Sequence, residues 1–246
     1  MIQLTASLGL VGGLTMVGAA AGGASGMSQS IASDSPAQIL SIAKTAATRA
    51  GSFTVVCNGA AASVGLTGTA VTNVGTASGS QYTKDKVKGI GTATVATRMV
   101  GGVAYFKGNA AFLEIQFGVK HSKYANEWIS VSKGQKDFAV ISAGMTMSSA
   151  LLEIAPVRPL SKSKVETFAG KSVVAVIGKV SPEEYVGTGT QHTYVGVAAP
   201  NRPVGISLNS IESGAHFHGT CTFSNWKHKF VVTKPSGATP ITKTNL

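Results

Sequence analysis

Charge is scarce in this 246-residue chain: only 13% of residues are Asp, Glu, Lys or Arg, about half the share usual in soluble domains. Acidic residues are scarcest, ten against 21 Lys and Arg, for a formal net charge of +11. That leaves little material for carboxylate chemistry. The one adjacent acidic pair, Glu183-Glu184, follows Ser181-Pro182 and reads as a turn or as the first turn of a helix, where carboxylates suit the helix dipole. Neighbours in sequence there do not face each other as a glycosidase pair must. No GxSxG run occurs, so a nucleophile elbow is excluded. There are two cysteines, Cys57 and Cys221, with no CxxC and no Cys/His ligand spacing, which argues against a structural metal. His216 and His218 stand two apart on one strand face, a chelating geometry, but they share it with Thr220 and Thr222 and have no third ligand within sequence reach. His121, His192 and His228 do not change this. No catalytic residue, metal or cofactor is therefore expected.

The basic excess draws such a chain to anionic surfaces. Nucleic-acid binders cluster their basic residues on a helix or stripe with aromatics interleaved. Here the lysines are scattered, as in Lys84, Lys86, Lys88 and again Lys162 and Lys164. A membrane surface with anionic lipid headgroups, or an acidic cell-wall polymer, is the expected partner, and nucleic acid is not.

Residues 1–30 carry no charged side chain, and the first is Asp34. An apolar stretch over residues 4–20 leads into the small-residue zone Ala19, Ala20, Ala21, Gly22, Gly23 and Ala24. This is the layout of a secretory signal peptide, though without basic residues at its start. Residues 2–21 are also nearly long enough to serve as an N-terminal membrane anchor. Export to the cell envelope or beyond is expected, with one domain over residues 34–235 and a flexible tail over 236–246.

What is abundant is glycine, 30 residues, with Thr, Ser, Ala and Val throughout: many short strands and tight turns. Ser33-Asp34-Ser35-Pro36 places capping oxygens before a first-turn proline. Ile39, Leu40, Ile42, Ala43, Ala46 and Ala47 follow at helical spacing, and Gly51 stops the helix. From Ser52 the period becomes two. Strands are expected from Phe53, from Val64, over residues 89–100 and 103–107 about a Gly101-Gly102 hairpin turn, and over 128–131, with a polar turn near 75–81. Short helices are expected over 110–118 and over 138–154, the latter split at Gly144 and ended by Pro156 and Pro159. Strands return over 171–180, 190–198, 203–208, 214–223 and 230–233. The order of helix, antiparallel strands, helical insertion and strands again is α+β.

By alternation, Cys57 shares a face with Phe53 and Val55, and Cys221 one with Phe217 and Phe223. Both point to apolar surroundings. Either they form a disulfide between the first and a late strand, or they are two buried thiols acting as small apolar groups.

Residues 100–113 (VGGVAYFKGNAAFL) followed by 128–131 (WISV), the late segments 219–226 (GTCTFSNW) and 231–235 (VVTKP), and the opening 51–59 (GSFTVVCNG) together resemble the actinobacterial LppX/LprA/LprG-type envelope lipoproteins. The resemblance spans residues 37–235 in the family's order. It implies a LolA-like fold: a strongly bent antiparallel sheet, a half barrel, with helices covering its concave face around an apolar cavity. It implies a monomeric, non-enzymatic protein that binds and carries an acylated lipid or lipoglycan. Members of that family bear an acylated cysteine at the mature N-terminus, and here no cysteine precedes Cys57. A lipid-sensing or adhesive module without carriage is the alternative use of the same fold. The apolar set expected at the cavity is Phe112, Leu113, Phe117, Val140, Ile141, Met145, Met147, Leu151 and Leu152 from the helical pieces, with Leu66, Val95 and Met99 from the sheet.

Overall fold

The computed structural model describes residues 30–120, 122–180, 187–212, 214–244 and 246. The leader and the Glu183-Glu184 pair lie outside them. Helix α1 (Pro36–Ala50) begins as its sequence dictates. Ser35 caps it in a box with Gln38, whose side-chain oxygen accepts from the Ser35 N–H at 2.9 Å, and Gly51 ends it in the left-handed region at φ 75°. A meander follows: β1 (Phe53–Ala61), β2 (Leu66–Val74), β3 (Gly79–Val87), β4 (Gly91–Val100) and β5 (Val103–Gly108). The β4–β5 hairpin turns on Gly101 and Gly102, both at positive φ, as a two-residue primed turn requires. Next come α2 (Ala110–Phe117), β6 (Ile129–Ser132), α3 (Phe138–Ser142) and α4 (Met147–Glu153). A second meander completes the chain: β7 (Val157–Lys162), β8 (Glu166–Phe168), β9 (Lys171–Lys179), β10 (Gly187–Gly196), β11 (Pro203–Glu212) and β12 (Ala215–Ser224), with a last short strand β13 (Thr239–Pro240).

All thirteen strands form one strongly bent sheet in the order β13-β6-β5-β4-β3-β2-β1-β12-β11-β10-β9-β7, with β8 also on β9. Its end strands do not pair with each other, so it is an open half barrel. Every pairing is antiparallel except β13 on β6. The two meanders meet where β1 pairs with β12, and there Cys57 lies directly opposite Cys221. The two are joined as a disulfide, with Cα atoms 4.0 Å apart and 164 residues between them in sequence.

One row of the register runs Val176, Thr193, Ile206, Cys221, Cys57, Ala70, Thr83, Val95. This is the concave face, and each of the four α-helices packs on it. Helix α1 lays Ile39, Leu40 and Ala43 on Val174, Val176 and Val195. Helix α4 lays Met147, Ala150 and Ile154 on Phe53, Cys57, Ile206, Cys221 and Phe223. Helices α2 and α3 cover Val95, Met99, Phe106 and Ile129 with Leu113 and Ile141.

Four expectations differ from this architecture. Strand β3 is not among the expected strands: it begins inside the expected polar turn near 75–81 and fills the stretch up to Val87, for which no element is expected. The strand expected at 230–233 does not form: this segment crosses the outer face, where Arg98 donates to the Thr233 carbonyl at 3.1 Å, and Val231 is 88% exposed. Strands β7 and β8 occupy a stretch with no strand pattern in the sequence. Residues 236–246 are docked at their centre: Thr239–Pro240 add to β6, and Ile241 joins the core beside Ile129. The physical reason is the open edge of β6, whose backbone groups need partners.

Candidate ligand-binding site

The concave floor beneath α4 is the best-defined candidate site. Helix α4 lies across the junction of the two meanders and is fixed at both ends. At its start, the Met147 N–H donates to the Gly75 carbonyl at 2.7 Å, and Thr146 caps the helix in a box with Ser149. Gly79 admits the preceding turn: a Cβ there would run into the Met145 carbonyl oxygen. At its end, two side chains of β10 take the last carbonyls, which have no partner within the helix. Gln191 Nε2 donates to the Glu153 carbonyl at 2.7 Å, and Thr193 Oγ1 donates to the Ile154 carbonyl at 2.7 Å. Both β10 residues are buried, Gln191 2% and Thr193 0% exposed.

Between α4 and the disulfide lies a crevice of about 20 Å³, bounded by Cys57, Cys221, Ile206, Phe223, Ala150 and Ile154. That is room for about one water molecule. The floor is apolar along β1 and β12 and along β11 up to Leu208, beyond which Ser210 is buried. Along β3 it turns polar, with Gln81 and Thr83 on the concave side, while on β2 and β4 single threonines, Thr72 and Thr97, interrupt apolar residues. Asp85 continues this polar strip, and its cross-strand neighbours are Gly68 and Ala93. Burial pushes its carboxyl up to about 7, because the charged form has lost water.

The twelve expected cavity residues divide by location. Leu66, Val95 and Met99 share the concave face and are buried. Leu113, Ile141 and Met145 form a packed cluster around Phe106, with Phe112 and Phe117 against it. Phe106 and Phe117 stack at 5.6 Å between centroids, and the Phe112 ring occupies the space left free at Gly108. Met147 and Leu151 belong to the cluster beneath α4. Val140 is half-buried, and Leu152 faces outward at 44% exposure. The set is thus shared between two packed clusters and the surface. None of it borders the crevice at the disulfide.

Sequence reasoning missed Gln191 and Thr193, which fix the end of α4. A signal was available: polar residues two apart at inward positions of an otherwise apolar strand. His216 and His218 lie on the outer face, where His218 Nδ1 meets Asn209 Oδ1 at 2.8 Å. The described residues hold no group of three or more metal-ligating side chains. Among them, no helix is long and apolar enough to cross a membrane.

No protein-family profile and no curated protein matches the chain. Among solved structures it is similar to a LolA superfamily protein from Nitrosomonas europaea, at 11% identity over 80% of this chain and 95% of that one, with a TM-score of 0.33. It is also similar to a DUF1329 family protein from Desulfovibrio piger, at 8% identity over 82% and 96% of the two chains, with a TM-score of 0.32. Both scores are too low to assign a fold.

Proposed function

We propose that the protein binds acyl chains of a lipid or lipoglycan against its concave face, beneath α4, and carries them in the cell envelope without chemical conversion. The seating of α4 carries this reading. A seven-residue helix rests Met147, Ala150 and Ile154 on the floor and is hydrogen-bonded to the strands around it only at its two ends, so it is a cover that can leave as a unit. Short segments with few anchoring hydrogen bonds open at far lower free energy than the core beneath them. An exported location suits the Cys57–Cys221 disulfide, which persists in oxidising compartments. The sequence resemblance to LppX/LprA/LprG-type lipoproteins supports the same reading.

The narrowness of the crevice favours a second reading: an envelope module that senses lipid or adheres through its surface and carries nothing. Native mass spectrometry of protein purified from bacterial cells separates the two. A co-purifying lipid mass supports carriage. An apo mass alone, under conditions that keep a control carrier loaded, rejects carriage and leaves the interaction module.

A further inference from the structure

A second concavity lies along one flank of α1, beside its buried stripe. Three segments converge there: that flank of α1, the β10–β11 connection, and the turn after β12. The cleft has a volume of about 580 Å³, within the range of small-ligand sites. Its cationic lining is Arg49 from the last turn of α1, Arg202 from the β10–β11 connection and Lys227 from the turn after β12. No carboxylate lines it, and among the described residues none of the three cations makes an ion pair.

The cleft is built, not a chance meeting of surface side chains. In the β10–β11 connection, Asn201 Nδ2 donates to the carbonyls of Gly196 and Val197, at 3.1 and 2.8 Å. The Gly196 N–H donates to the Arg202 carbonyl at 3.0 Å. The Arg202 guanidinium lies 5.4 Å over the Trp226 ring, which is itself packed on Phe53 at 4.7 Å. Arg202 Nε is buried there without a hydrogen-bond partner. The Lys227 N–H is fixed to the Ser52 carbonyl at 2.9 Å. Facing these groups, α1 presents Ser41 and Thr45, with Ile42 and Ala46 beside them.

Three unpaired cations in one fixed cleft favour a compact, multiply charged oxyanion. Guanidinium forks match its tetrahedral oxygens, and hydroxyls add donors. We propose that this cleft binds a phosphate group, with the alkyl part of its ester against Ile42, Ala46 and Pro200. The site stands on its own geometry. Only the choice of a lipid headgroup as the source of the phosphate rests on the lipid-binding reading above.

The test uses the full chain carrying Trp128→Phe, so that Trp226, beneath Arg202, is the remaining tryptophan of two. Titration with inorganic phosphate should give a saturable change in Trp226 emission. Lys227→Met and Arg202→Lys should each weaken it by about tenfold, as for loss of a charged hydrogen bond. Lys84→Gln/Lys86→Gln, on the outer face, should leave it unchanged. A thermal melt of Lys227→Met, whose side chain is exposed, checks that its fold is intact. Vesicles of phosphatidylglycerol and of phosphatidylcholine form the second arm. Phosphatidylglycerol binding that is lost in Lys227→Met identifies a lipid headgroup. Phosphate binding with no such vesicle dependence identifies a soluble phosphate ester. Emission that does not saturate, or that responds equally to the outer-face lysine variant, overturns the site. Lipid co-purification would then be untouched, so the two failures are distinguishable.

Discussion

If α4 is a cover, releasing its far end should open it without unfolding the sheet. Thr193→Val keeps the side-chain shape and removes the hydroxyl that donates to the Ile154 carbonyl, while Gln191→Ala removes the donor to the Glu153 carbonyl. Each change leaves a buried acceptor unsatisfied, at a cost of about 1–2 kcal/mol, so the pair should weaken the seating of α4 by about 2–4 kcal/mol. At about 1.4 kcal/mol per decade, local opening becomes roughly 30- to 1,000-fold more frequent. Hydrogen exchange reads this directly. Amides of residues 147–154 should lose protection by that factor, while those of β1 and β12 around the disulfide lose only what the global stability loses. A fluorescent long-chain fatty acid should bind more tightly in the same proportion, because the open state limits apparent affinity. Amides of α4 as well protected as those of β1 would refute the idea of a separate cover. Faster exchange with unchanged probe affinity would refute entry beneath it.

Three further outcomes are expected. Asp85, raised to about 7 in the fold, binds its proton more tightly folded than unfolded, so its contribution to stability is full below about pH 4 and is lost as pH rises through about 7; Asp85→Asn should remove this slope and raise stability at pH 8 by about 1–2 kcal/mol, allowing for the group's partial exposure, as chemical denaturation across pH will show. Replacing both cysteines by alanine opens a loop of 164 residues, which the chain-entropy model values at about 5 kcal/mol; a denaturation midpoint unchanged from the oxidised parent would contradict it. Gly79→Ala should drive a methyl group into the Met145 carbonyl and cost about 1–3 kcal/mol, with the loss of exchange protection starting at residues 145–147.

Legibility in the sequence followed how far each element's chemistry is local. Helix α1 was readable because its cap, proline, stripe and terminal glycine all lie within residues 35–51. The β4–β5 hairpin was readable from Gly101-Gly102. Strand β3 was hidden for a physical reason: its outward Lys84 and Lys86 are polar, and so are its inward Gln81, Thr83 and Asp85, so no apolar alternation marks it. Residues 239–241 gave no signal because their order comes from the β6 edge, which is distant in sequence. Face assignment by alternation placed Cys57 and Cys221 on the same side as Phe53 and Phe223, but only the pairing of β1 with β12 sets them opposite each other. The candidate cover is the least legible part. Its anchors Gln191 and Thr193 lie about 40 residues from the carbonyls they hold.

If acyl chains bind beneath α4 as proposed, the division of the concave floor limits where a chain can lie and how long it must be. Along β3 a chain would lie beside Thr83 and Gln81, whose amide donates to the Thr72 hydroxyl at 3.0 Å; these polar groups gain nothing from an acyl chain. Along β1, β12 and β11 it would meet Phe53, Phe223, Ile206 and the disulfide, which ask for no hydrogen bonds. That ground is held by Met147, Ala150 and Ile154 of α4. Exposing the two larger side chains costs about 1.5–3 kcal/mol each, and the two hydrogen bonds from β10 add about 1 kcal/mol apiece. Displacement therefore costs about 5–8 kcal/mol, and a buried methylene returns about 0.8 kcal/mol. Some seven to ten methylenes would be needed to offset the displaced helix, so on the proposed function short-chain amphiphiles should leave α4 in place and long-chain lipids should not. The disulfide then has a second role beyond stability: it ties β1 to β12 beneath the cover, so the floor keeps its shape when the helix that packs on it has gone.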